Sequence, residues 1–305
     1  HQPASPALNQ PLRISGFSID LNHSCYGIML VNKTLSPVNK IRIDHNRIEN
    51  ANIGSALPWS GVLVHVYGTV YGVVDSNEFE NGYMRCNGLD ETTWNNITFS
   101  YGTADNMYFE DNVFTSPDTM FFYGEMGGGY CARRNTFDGA ASLNGLYPFA
   151  DMHGNQPNAH LATMGAEIYE NEIRGGTKGV NLLDQRGGKA VVYGNLITTT
   201  ASAGSVFIKA REEYHDSIMP PASSPISGQP QHVSDAYYWS NLRNGTTLVT
   251  AYVAGTVDYG GSKGLVPQEN REFWQQEGDF DADSRWALAW FDRCGFADGE
   301  YGVAE

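Results

Sequence analysis

Residues 41–50 read IRIDHNRIEN and residues 72–81 read GVVDSNEFEN. Each runs through an apolar residue, Asp, a variable residue, Asn, a second variable residue, an apolar residue, Glu and Asn. The two lie 31 residues apart. The phrase returns more loosely as MYFEDNVFTS (107–116), YCARRNTFDG (130–139), AEIYENEIRG (166–175), AVVYGNLITT (190–199) and YYWSNLRNG (237–245). Aligned on the shared amide, the anchors are Asn46, Asn77, Asn112, Asn135, Asn171, Asn195 and Asn241, spaced 31, 35, 23, 36, 24 and 46 residues apart. A fixed anchor with elastic spacing marks a repeat whose insertions fall on loops.

Three residues before each anchor stand Ile43, Val74, Phe109, Ala132, Ile168, Val192 and Tyr238. Two residues after it stand Ile48, Phe79, Phe114, Phe137, Ile173, Ile197 and Arg243, apolar in all but the last. Helices would repeat their apolar positions every 3 to 4 residues over a dozen or so. Short β-branched and aromatic runs, each broken by Asn or Gly, read as strands. The pattern predicts a solenoid of β coils, each returning about 4.8 Å along the axis. Asn is expected at the corner for two reasons: it tolerates the left-handed conformation, and stacked amides hydrogen-bond along the axis.

The 305 residues suit one long domain, because a solenoid grows by adding coils. The 34 glycines, with 17% charged residues, fit a turn-rich all-β protein. A net charge of −15 argues against nucleic acid, which wants a basic face. No apolar run of about 18 residues reads as a membrane span. Cys25, Cys86, Cys131 and Cys294 leave three pairings open. Asn22, Asn32, Asn96 and Asn244 head glycosylation sequons, usable only in a secreting host with that machinery. The Pro-rich opening HQPASPALNQP is expected either after removal of a signal peptide or inside a longer chain. An extracellular or cell-surface location is the expectation.

Residues 1–11 read as an N-terminal arm and 12–245 as the coils, with a long Pro/Ser/Gly-rich loop at about 214–235. Residues 246–305 read as further strands and a capping segment. Within it, SRWALAWFDRC (284–294) has helical spacing behind a Ser284 N-cap. An open solenoid end needs such a cap.

These coils, IRIDHN, GVVDSNEFEN and AEIYENEIRGG above all, resemble the right-handed parallel β-helix, or pectate-lyase-like, superfamily. The likeness extends to bacterial and archaeal secreted or surface members of unassigned activity, and covers about residues 12–275. It implies an all-β right-handed parallel β-helix. The superfamily holds polysaccharide lyases, glycoside hydrolases, phage tailspikes and non-catalytic fibres, so the fold does not select the chemistry. Ile43-Asp44-His45 resembles the Ile-Asp-His of pectate lyases, without an Arg-x-Pro-x-x-Arg partner. His153-Gly154 resembles the His-Gly of polygalacturonase-type hydrolases, without their paired-Asp and Arg-Ile-Lys signatures. Neither motif carries a catalytic role over to this chain.

Upstream of several anchors runs a second strand: VLVHVYG (62–68), MFFYGEMG (120–127), FADMHGN (149–155), VNLLDQRGG (180–188) and VFIKARE (206–212). Period-2 alternation sends Val64, Val66, Phe122, Gly124, Ala150, Met152, Leu183, Gln185, Ile208 and Ala210 to the core. The other set forms an outward polar stripe. Its catalytic candidates are Glu125, Asp151, His153, Asp184, Arg186 and Lys209; its substrate-binding candidates are His65, Tyr67, Tyr123 and Arg211. In glycan-cleaving members of the superfamily, substrate lies along such a face.

A uronic-acid lyase needs a cation to neutralise the sugar carboxylate and a base to take the adjacent proton. Arg186 with Lys209 or Arg211 suits the first, and His153 or Lys209 the second. A hydrolase needs two carboxyl groups across the bond, which Asp151 with Asp184, or Glu125 with Asp151, would provide. Glu125, Asp151 and Asp184 also offer oxygens to calcium; the sequence DFDADS (279–284) lacks the EF-hand Gly and distal Glu. The expected partner is a polysaccharide, with lyase and hydrolase both open. The alternative is a non-catalytic subunit of an extracellular filament, sheath or surface fibre, joined to further copies by end-to-end or lateral contacts. A phage tailspike is less favoured, because the usual long particle-binding part does not precede the coils.

Overall fold

A computed structural model describes residues 12–23, 26–51, 61–89, 99–115, 120–138, 148–154, 162–175, 179–202, 206–214, 233–258, 267, 269 and 273–275. Among these residues the secondary structure is strand, with no α-helix, and the strands stack into three sheets. Sheet I runs β1 (Leu12–Ser15), β4 (Val38–Asp44), β7 (Val70–Asp75), β10 (Met107–Glu110), β13 (Gly129–Arg133), β16 (Gly165–Tyr169), β19 (Lys189–Tyr193), β22 (Ala236–Trp239), β26 (Phe273–Trp274). Sheet II runs β2 (Ser18–Asp20), β5 (Arg47–Glu49), β8 (Glu78–Glu80), β11 (Val113–Thr115), β14 (Thr136–Asp138), β17 (Glu172–Arg174), β20 (Leu196–Thr198), β23 (Leu242–Arg243), β24 (Thr247–Leu248). Sheet III runs β3 (Tyr26–Asn32), β6 (Val62–Gly68), β9 (Tyr83–Asn87), β12 (Phe122–Glu125), β15 (Ala150–Met152), β18 (Val180–Gln185), β21 (Val206–Tyr214), β25 (Ala251–Asp258). Each coil gives one strand to each sheet in turn, and neighbouring coils pair in parallel. At β24 the chain folds back antiparallel on β23. The molecule is an all-β parallel solenoid.

The corner from sheet I to sheet II is the repeated phrase. The anchor amides form an unbroken ladder. Asn46 Nδ2 donates to Asn77 Oδ1 at 3.0 Å, and Asn77 to Asn112 at 2.9 Å. Asn112 donates to Asn135 and Asn135 to Asn171, both at 3.0 Å. Asn171 donates to Asn195 at 2.9 Å, and Asn195 to Asn241 at 2.7 Å. Among the described residues this corner keeps one length from coil to coil, while register shifts occur within strands of sheets I and III.

One part of the corner reading is corrected. The left-handed residue is the one before the anchor: His45, Ser76, Asp111, Arg134, Glu170, Gly194 and Ser240, with φ from 52° to 63°. The anchors themselves have negative φ. That preceding residue turns the chain so that the amide points into the bend. Asn is there for its paired donor and acceptor, not for its backbone freedom.

Behind the corner, Ile43, Val74, Phe109, Ala132, Ile168 and Val192 stack in register and are fully buried. Phe79, Phe114 and Phe137 form an aromatic column inside sheet II, with centroids 5.0 and 4.6 Å apart. Phe121, Phe122 and Phe149 close on it from the sheet III side. At the corner leaving sheet III, Gly68 (φ 86°) is obligatory, since a Cβ there would sit 1.8 Å from the Asn32 carbonyl oxygen.

The N-terminal arm, the helix expected at 284–294 and most of the 214–235 loop lie outside the described residues. No helix among the described residues is long and apolar enough to cross a membrane. Cys86 and Cys131 are buried free thiols.

Candidate functional site

Sheet III holds the candidate side chains, except that His153 and Arg186 stand one residue past the ends of β15 and β18. Val64, Val66, Phe122, Ala150, Met152, Leu183, Ile208 and Ala210 enter the core, so the residues between them face the opposite way. Two rows cross that outer face. The first, in register, is Met29, His65, Arg85, Tyr123, Asp151, Asp184 and Lys209. The second begins Val31, Tyr67, Asn87 and Glu125. It continues through His153, Arg186 and Arg211, each two residues beyond its first-row neighbour.

The stripe divides into two clusters. In the first, Glu125 accepts from Arg85, from Asn87 Nδ2 at 2.9 Å and from the Tyr123 hydroxyl at 2.9 Å. Arg85 Nε also donates to Asn87 Oδ1 at 3.0 Å. Burial, with Glu125 and Asp151 adding, raises the Tyr123 phenol well above its usual range. In the second cluster, Arg186 donates to both carboxylate oxygens of Asp151 and through Nη1 to Glu213 at 2.9 Å. Arg211 donates to both oxygens of Asp184, at 3.0 and 2.9 Å, and lies 3.1 Å from Glu213. The Lys209 amine is 3.7 Å from Asp184. Three cations face three carboxylates, so the cluster is electrically balanced.

Most of the stripe is buried. His65, Tyr123, Glu125, Asp151, His153, Asp184 and Arg186 are each at most 7% exposed, while Tyr67, Lys209 and Arg211 are partly exposed. They do face away from the core, yet they are buried and tied to one another. The two guanidinium groups expected to neutralise a uronate already hold the chain's own carboxylates. The oxygens considered for calcium are likewise engaged, accepting from guanidinium groups: Glu125 from Arg85, Asp151 from Arg186 and Asp184 from Arg211. No group of three or more His, Cys, Asp or Glu is placed to hold a metal among the described residues.

Two features keep acid–base chemistry in view. Burial pushes the Asp151 carboxyl up to about 6, against the pull of Arg186 and with Asp184 adding. The His153 ring sits 5.5 Å from the Tyr123 ring, and its Nδ1 donates to the Gly154 carbonyl at 3.0 Å. In the neutral ring that leaves the lone pair on Nε2.

Arg85, Asn87 and Glu213 belong to the clusters and were not among the expected residues. The signal for the first two was present in YMRCN (83–87), where Met84 and Cys86 alternate with them. Glu213 keeps the parity of Lys209 and Arg211 in β21 and was missed because the stretch VFIKARE was read only to residue 212.

Comparison with family models, curated proteins and solved structures finds no match to this chain.

Proposed function

We propose that this chain is a non-catalytic structural solenoid, a subunit of an extracellular filament, sheath or surface fibre. What carries the reading is the closed set Asp151–Arg186–Glu213–Arg211–Asp184, in which every carboxylate is held by a guanidinium of a neighbouring coil. A site that works on a polymer keeps cations and carboxylates free for it, whereas this one uses them to fasten coils together. Membership of the pectate-lyase-like superfamily and a right-handed coil belong to the same proposal; parallel strand crossovers are right-handed almost without exception.

A glycan-cleaving protein is the second reading. It is favoured by a carboxyl raised to about 6 at Asp151 and by the fixed Nε2 lone pair of His153. In that reading Asp151 serves as acid, His153 as base and Arg186 as the neutralising cation. The test is incubation with a panel of neutral and uronic-acid polysaccharides, following both ultraviolet absorbance of unsaturated products and new reducing ends. The structural reading expects neither signal. Product formation that disappears in His153→Ala would overturn it in favour of the second.

A further inference from the structure

His65 takes no part in either charged cluster, and its surroundings are unusual. It is 6% exposed, yet neither ring nitrogen makes a well-formed hydrogen bond, and the Asn87 side chain is the one polar group close enough among the described residues to favour its protonated form that way. A buried imidazole so placed forgoes the hydrogen bonds it makes in water. Tyr26 of β3 lies over it, centroids 5.7 Å apart and planes 16° from parallel. Tyr67 of its own strand meets it edge-on at 6.1 Å, and the Lys33 amine sits 4.9 Å from the centre of the Tyr67 ring. On the other side, β9 brings Arg85 into register with it, and beyond Arg85 stands Glu125 of β12. Glu125, whose charge reaches His65, is already bound to Arg85.

We infer that His65 is an acid-sensitive latch that holds strand β3 on sheet III while neutral and releases it once protonated. The neutral ring stacks under Tyr26 and closes β3 over β6. A second positive charge beside Arg85, without solvent and with only an Asn87 side chain already engaged by Arg85 and Glu125 to meet it, is unfavourable unless the Tyr26 roof lifts and admits water. Among the described residues β3 is the outermost strand at its end of sheet III, so its release breaks one strand pairing, with β6, together with the core contacts of Ile28 and Leu30 and the Asn32–Thr69 hydrogen bonds.

The direction follows from the two protonation states. Burial, with the Arg85 charge adding, pushes the imidazole down to about 4 from 6.5, against the pull of the Asn87 side chain and the Glu125 charge. Opening restores its ordinary affinity for protons. The closed state is therefore fully favoured above about pH 6.5, and the preference fades as pH falls toward 4. The Arg13–Asp44 pair also links the first two coils. Its carboxyl is held below the usual range against the effect of burial, so it titrates at lower pH than His65.

Hydrogen exchange read by mass spectrometry on the whole chain, corrected for intrinsic pH dependence, tests the latch. Between pH 7.5 and 4.5 the opening constant of 26–32 should rise on the order of 10²-fold, while β18 rises far less. His65→Phe keeps the stacked ring and removes the titration, so its rise should vanish. Tyr26→Ser opens the roof, so 26–32 should already exchange fast at pH 7.5 with little further change. No rise in the wild type, or an equal rise in both variants, would overturn the inference.

Discussion

Asn135→Ala isolates what the amide ladder contributes. Asn135 is 1% exposed and sits mid-ladder. Its Oδ1 accepts from the Asn112 backbone N–H at 3.1 Å and from Asn112 Nδ2 at 3.0 Å. Its Nδ2 donates to the Phe109 carbonyl at 2.9 Å and to Asn171 Oδ1 at 3.0 Å. Alanine removes all four contacts. Asn171 Oδ1 keeps the Asn135 backbone N–H at 3.0 Å, so the sharper loss falls on the two donors of Asn112. Each buried donor left without an acceptor costs about 1–3 kcal/mol. Two of them, plus the small void, give roughly 3–6 kcal/mol, a large share of a typical domain's stability. Asn135→Asp keeps the shape and the acceptor but turns a carboxylate toward two oxygens, so it should cost more than alanine at pH 7 and recover on acidification. Urea unfolding followed by circular dichroism measures both variants. If Asn135→Ala shifts stability by less than about 1 kcal/mol, the ladder is a by-product of the turn and the account of the corner fails.

Phe114→Ala empties the centre of the aromatic column and should cost about 3–5 kcal/mol in the same assay. Gly194→Ala probes the left-handed position by itself: the site has φ 63° and its nearest neighbouring atom would be 3.5 Å away, so a loss of about 1–2 kcal/mol would be backbone strain. Gly165→Ala would place a Cβ 2.1 Å from the Phe99 ring; it should displace that ring, cost about 1–3 kcal/mol and raise exchange at 99–106.

The fold was legible because its two signals are local. Period-2 alternation named the inward residues of sheet III, and the recurring Asn named the corner. The left-handed residue was not legible, since His, Ser, Asp, Arg, Glu and Gly all occupy it; no side chain is selected there, because the neighbouring amide imposes the conformation. Alternation also told which face Asp151, Asp184 and Arg186 take, but not what else shares that face. Their burial and saturation depend on Arg211 and Glu213 of the next coil, and alternation says which face a side chain takes without saying which partner it meets there. Arg85 and Asn87 were legible in YMRCN, between two strands that did supply candidates.

Parallel stacking creates a difficulty that the charged pairs resolve. Equivalent positions recur about 4.8 Å apart, so Asp44 faces Asp75 and Asp151 faces Asp184 in register. Two bare carboxylates at that distance repel by roughly 3 kcal/mol at an effective dielectric of 20. The chain answers with diagonal pairs between the two rows of one face. Arg42 reaches forward to Asp75 while Asp44, two residues on, reaches back to Arg13. Asp184 reaches forward to Arg211 while Arg186 reaches back to Asp151. One strand thus links both neighbours, and the order of the two charges sets which neighbour each one meets. Exchanging them, Asp184→Arg with Arg186→Asp, keeps composition and net charge. It would set the new Arg against Lys209 and Arg211, and the new Asp against Asp151 and Glu213. Breaking one buried pair costs about 3–5 kcal/mol; breaking two, with some non-additivity, should exceed about 5 kcal/mol and erase the cooperative melt. The neutral pair Asp184→Asn with Arg186→Gln should lose less, because it sets no like charges together. A swapped chain that melts like the wild type would mean that these charges merely decorate the solenoid, and the structural reading would lose the observation on which it rests.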